Sequence, residues 1–148
     1  MTVSNRNWRS AILLYGPVLA WIGVILFLSS GQGASTRTSL IIRPVLEWLF
    51  PEASFETIAY YHGVIRKCAH LIEYAVLGFL ACRAFSVYRY TSLLAALLVF
   101  TVAAIDETNQ SANPERTGSV VDVLIDLCGG LAAIGLFYLL TRRRGSTL

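Results

Sequence analysis

The sequence predicts an all-α integral membrane protein, a four-helix bundle with an additional short interfacial or re-entrant helix on its outer side. The composition is too apolar for a soluble domain, the apolar residues fall into stretches of membrane-crossing length, and the charges inside those stretches gather at one depth. Hydrophobic residues make up 55% and charged residues 14% of the 148, whereas a soluble domain carries about 25% charged residues. The mean hydropathy is +0.61. Disorder, collagen-like repeats and a coiled coil are excluded, because each needs low hydrophobicity, a glycine triplet period or a charged heptad. At this length residues 1–148 read as a single transmembrane domain with no second catalytic module.

The first crossing is expected over residues 11–29, after Arg6 and Arg9. A small-residue stretch follows it at Ser29–Ser35, which resembles a cleavage site. Length decides against cleavage, because a signal-peptide core has about 7 to 15 apolar residues and this run approaches the roughly 20 that span a bilayer. Residues 40–50 are too few to cross. Ser39, Arg43 and Glu47 share one face there, so the segment is expected along the interface, ended by Pro51. Ser54 suits an N-cap, and Phe55, Tyr60, Tyr61 and His62 suit a collar at headgroup depth. The second crossing then occupies about residues 63–82, the third 91–110 and the fourth 120–140. Between the last two, Asn113-Pro114 and Gly118 mark a tight loop.

The net charge of +3 comes from eleven arginines and one lysine, most of them at the ends of apolar stretches. They report topology, and no nucleic-acid partner is expected. Arg6, Arg9, Arg83, Arg89 and Arg142–Arg144 fall on one side, against Arg37, Arg43 and Arg116 on the other, so both termini are expected on the cytoplasmic side of an inner membrane. Cys68, Cys82 and Cys128 have no metal-binding spacing and are expected as reduced thiols buried in the membrane.

Function is expected where ionisable residues enter the helices. At about 1.5 Å per residue, Lys67, His70 and Glu73 lie roughly 6, 10 and 15 Å below the outer surface, and Asp106, Glu107, Asp122 and Asp126 fall within about 8 Å of it. A charge at the centre of a membrane helix costs at least about 2.5 to 3.5 kcal/mol, so these groups are expected to face inward and pair. Lys67, His70 and Tyr74 share a face of the second helix, flanked by Arg66 and Glu73. On the fourth, Asp122, Asp126, Gly129, Gly130 and Ala133 line one side, where small residues let backbones approach.

Three chemistries use such a layer. In an enzyme, a hydrolase or transferase acting on a lipid-linked headgroup, His70 is general base or nucleophile, Asp122 or Glu73 orients it, and Asp106 and Glu107 complete the catalytic set. Arg66, Lys67 and Arg116 then clamp a phosphate or pyrophosphate, with Gln110 and Tyr74 completing hydrogen bonds. In a binder the same groups hold a membrane lipid or a lipid-linked precursor without reaction. Proton or ion conduction is the alternative function, since intramembrane acids and a histidine can form a relay. No cofactor is assigned. A divalent metal held by Asp106, Glu107, Asp122, Asp126 and Glu73 with one histidine is the weaker reading, because only one histidine is well placed and the nearby cations neutralise acids equally well. The structural alternatives are a His70 satisfied within a packing network and an Asp106-Glu107 helix end paired with Arg116.

An ordered set of motifs resembles the VanZ-like family of small bacterial membrane proteins. It comprises Ser29-Ser30-x-Gln32 after the first helix, Lys67-x-x-His70-x-x-Glu73-Tyr74-x-x-x-Gly78 in the second, Asp106-Glu107-x-x-Gln110 ending the third, and Arg116-x-Gly118-Ser119-x-x-Asp122 opening the fourth. Asp126 stands where the family pattern has Asn, and the usual Pro-Gly before Arg116 is missing. The resemblance implies a four-helix membrane protein and a link to antibiotic resistance, its best-known member giving low-level resistance to the lipoglycopeptide teicoplanin. It brings no established catalytic residues.

Overall fold

The computed structural model describes the backbone of residues 4–29, 35–111 and 119–145, with side chains at 8–29, 40–111 and 119–142. The described residues form helices and turns without strands: α1 (Ser4–Ser29), α2 (Ser35–Leu49), α3 (Phe55–Ala84), α4 (Thr91–Ser111) and α5 (Val120–Gly145). Three of these contain stretches long and apolar enough to cross a membrane, Trp8–Ser29, Thr91–Ser111 and Val120–Arg142. Their outer faces carry large hydrophobic side chains such as Leu13 (67% exposed), Phe27 (61%) and Leu93 (58%). That is the pattern of a protein whose solvent is lipid.

α3 departs from the expected second crossing. It begins eight residues before Gly63, so Phe55, Tyr60, Tyr61 and His62 form its first turns instead of preceding it. Ser54 caps it as expected, its hydroxyl oxygen accepting from the Thr57 backbone N–H at 3.3 Å. Within its 30 residues α3 holds Glu56, Arg66, Lys67, Glu73 and Arg83, so unlike α1, α4 and α5 it does not qualify as a span by composition. The expected interfacial segment is helical over Ser35–Leu49, and it continues through Pro44. α1 and α5 extend beyond the expected 11–29 and 120–140.

α3 is nevertheless the centre of the assembly and packs against each of the other helices. The tie points give the directions. Tyr15 on α1 meets Tyr88 in the α3–α4 turn (3.2 Å between hydroxyls), Trp21 Nε1 donates to the Glu73 carbonyl at 2.9 Å, and Ser29 Oγ donates to the Asp106 carbonyl at 3.3 Å. α1 therefore runs antiparallel to α3, and α4 returns alongside it. α5 runs parallel to α3, with His70 beside Asp126 and the Phe79 ring against Phe137 at 5.8 Å between centroids.

The α3–α5 crossing depends on glycine. A Cβ on Gly129 would collide with the Leu71 carbonyl, and one on Gly78 would lie 2.5 Å from the Gly130 carbonyl oxygen. Without a side chain at either place the two backbones touch, and dispersion contacts replace the hydrophobic drive that lipid cannot supply. Below the crossing Leu77, Ala81, Cys82, Ala95, Val99 and Ala103 are fully buried.

Candidate functional site

The charged end of the helical assembly is organised by the helical register of α3. Spacings of three and four place Lys67, His70 and Tyr74 on one stripe that runs from the surface into the core. Lys67 is exposed, His70 half-buried and Tyr74 completely buried.

At the buried end Tyr74 donates its hydroxyl to Asp106 Oδ2 at 3.2 Å, and Gln110 Nε2 donates to the same oxygen at 3.1 Å. Gln110 and Asp106 lie one turn apart on α4, so both reach α3. Gln110 Oε1 in turn accepts from Arg66 Nη2 at 2.9 Å. The result is a chain of Arg66, Gln110, Asp106 and Tyr74 that ties α3 to α4 twice, while Ser29 ties α1 to the backbone of Asp106. Gln110 and Tyr74 thus spend their hydrogen bonds within the protein.

One turn from Tyr74, His70 Nδ1 lies 3.2 Å from Asp126 Oδ1 on α5. Asp106 and Asp126 are each only 2% exposed. Oxygens from these two carboxylates and a ring nitrogen of His70 lie within 4.8 Å of one another. Asp106 Oδ1 is buried and has no hydrogen-bond partner among the described residues.

Toward the open end, Gly63, Arg66, Lys67, His70, Asp122 and Ile125 line a cavity of about 90 Å³ between α3 and α5. A water molecule occupies about 30 Å³ of liquid, so the space suits a phosphate-sized group. Asp122 enters it from the first turn of α5, where the backbone dipole favours an acid. Ser119 caps that turn, its hydroxyl oxygen accepting from the Val121 N–H at 3.2 Å.

The sequence-based candidates separate into groups. His70, Asp122, Arg66 and Lys67 meet at the cavity. Asp106, Gln110 and Tyr74 form the buried network behind it. Glu107 is half-buried at the end of α4 and accepts from the Ser119 backbone N–H, an end-to-end tie between α4 and α5. The Glu73 carboxylate joins no hydrogen bond or ion pair among the described residues, and its backbone carbonyl serves Trp21. Arg116 lies outside the described residues, as do Ser30, Gln32 and Gly118 of the motifs and the Asn113-Pro114 turn.

Asp126, expected in the inward-facing acidic layer but outside the catalytic set, is the acid that reaches His70. Its signal was its place one turn after Asp122 on the stripe that ends in Gly129 and Gly130. All three thiols are free; Cys82 is in the core, whereas Cys68 and Cys128 are exposed on helix surfaces. His62 was read as a collar residue, but its Nε2 is buried without a partner among the described residues.

Among known proteins, the VanZ/LLP1 family model matches residues 13–141. No curated protein and no solved structure matches the chain.

Proposed function

The chain belongs to the VanZ/LLP1 family, and we propose that this membrane protein binds the anionic headgroup of an envelope amphiphile in the cavity between α3 and α5. The observation that carries the reading is a cavity of about 90 Å³ with Lys67 exposed, Arg66 half-buried and apolar helix surface on either side. Neither cation forms an ion pair with the buried acids among the described residues, Arg66 being bonded to the neutral Gln110. Both charges are therefore available to phosphate oxygens, while acyl or prenyl chains stay in lipid. Asp122 offers an acceptor to a hydroxyl or amine on the same headgroup.

In this reading α3 completes a fourth crossing, which its antiparallel packing with α1 and α4 supports. The cavity faces outward from the bacterial inner membrane, with both termini in the cytoplasm. Occupancy of a lipid-linked envelope precursor, or capture of a lipoglycopeptide, would alter teicoplanin susceptibility by changing the drug's access to its target. The polar chain ends at Tyr74 above the buried layer of Leu77, Ala81, Val99 and Ala103. Such a layer is a barrier to protons, which favours binding over conduction.

Mass spectrometry of the purified protein is expected to find co-purified phosphate-bearing lipid, reduced several-fold in Lys67→Ala. Equal retention of zwitterionic and anionic lipid by both proteins would defeat the reading. The contact of His70 with Asp126 favours a second one, in which the bound headgroup is hydrolysed or transferred with His70 as base. His70→Gln would then abolish a susceptibility phenotype that a binder largely keeps.

A further inference from the structure

We propose that His70, Asp106 and Asp126 form the binding site of one divalent transition-metal ion of the zinc class, beneath the headgroup cavity. The donor set is one imidazole and two carboxylates, delivered by α3, α4 and α5 to within 4.8 Å of one another. Three protein ligands with a further position left for water or a ligand oxygen are typical of a reactive zinc site. Imidazole favours zinc or iron over magnesium and calcium, which prefer oxygen donors alone.

Charge points to the same place independently. Asp106 and Asp126 are both 2% exposed, and two buried carboxylates need positive charge close by. The cations of this layer form no ion pair with either acid among the described residues, Arg66 being bonded to Gln110 and Lys67 being exposed. A histidine proton neutralises at most one acid. A divalent ion with a neutral imidazole balances both.

The third observation is the oxygen left over. Oδ2 of Asp106 is already held by Tyr74 and Gln110, while its Oδ1 is buried with no partner among the described residues. The hydrogen bonds to Oδ2 fix the carboxylate as outer-shell partners fix metal ligands. His70 Nδ1 and Asp126 Oδ1 stand 3.2 Å apart, and the edge of a zinc tetrahedron with ligand bonds near 2.0 Å measures about 3.3 Å. The ion therefore takes the place of the proton between these two atoms, and binding releases any proton they hold. Asp126 is essential to such a site, since an amide there would supply neither the charge nor the second anionic ligand.

The proposal does not rest on the headgroup reading, because metal content is measured without lipid binding and lipid retention without added metal. The full chain, purified in detergent without chelator, is incubated with zinc chloride, desalted and measured for elemental content and thermal unfolding. About one zinc per chain and a raised unfolding temperature are expected. Asp126→Asn and His70→Gln should each weaken zinc binding at least tenfold and remove the thermal shift, whereas Glu56→Gln, altering an exposed acid in the first turn of α3, should keep both. Size-exclusion profiles and helical circular dichroism establish that each variant is folded. If either triad variant fails that check, the other decides. Wild-type protein without stoichiometric zinc or a thermal shift would overturn the proposal, as would zinc held equally well by a folded triad variant.

Discussion

The two halves of the α3–α5 interface are made of opposite materials. Toward the α3–α4 turn, Gly78 and Gly130 bring backbone against backbone among fully buried Leu77, Ala81 and Val99. Toward the other end the same helices meet through His70 and Asp126, and α4 joins through Asp106 and Gln110. The first half is held by shape, which lipid cannot compete for. The second is held by polar groups that are costly to bury and stable only when each has its partner. A protein needing only to span a bilayer has no use for the second kind, so the difference separates scaffold from working surface.

Mutations can break that distinction or make it finer. The largest effect is expected from Gly129→Leu, because the added side chain meets the Leu71 carbonyl, which cannot move without bending α3. A loss of about 3 kcal/mol or more, seen as aggregation in size-exclusion chromatography or a collapsed unfolding temperature, is the expected outcome. Next comes Asp106→Ala, which leaves the Tyr74 hydroxyl and the Gln110 amide without their acceptor; each stranded group costs about 1 to 3 kcal/mol. Thermal unfolding should show a clear decrease smaller than that of the glycine variant. Tyr74→Phe removes one donor and keeps the ring, so a change of about 0.6 kcal/mol is expected in the same measurement. Last, Lys67→Ala should leave stability within about 0.5 kcal/mol while lowering retention of phosphate-bearing lipid. If Tyr74→Phe proved as damaging as Gly129→Leu, the two halves would not differ as described.

Some of this is legible in the amino-acid sequence alone. Residues 91–110 were expected as a helix, and α4 spans Thr91–Ser111, because one apolar run lies between a basic turn and a polar loop. The burial of Asp106 and the bonds of Gln110 and Tyr74 likewise follow from the cost of polar groups in lipid. The start of α3 was missed because Phe55–His62 was read by chemistry as an interfacial collar, although aromatic residues at headgroup depth can equally belong to a helix that continues past the bilayer. The partner of His70 was not legible either. Spacing puts Asp122 and Asp126 on one stripe, but which of them faces His70 depends on the axial offset of α3 and α5. That offset is set by Gly129 against the Leu71 carbonyl, a contact between residues 58 positions apart in the chain.

The parallel pairing of α3 with α5, with α4 lying between them in the chain, has a consequence for biosynthesis. If α3 crosses the membrane, it leaves the ribosome carrying Arg66, Lys67, His70 and Glu73 well before Asp126 has been translated. The least greasy segment must therefore wait, sheltered by the insertion machinery or resting at its exit, until the last one arrives. Nascent chains halted after Ser111 should accordingly be degraded faster than the full chain even though α1 and α4 can anchor them, and protection of α3 should appear only once the glycine seam of α5 has been made.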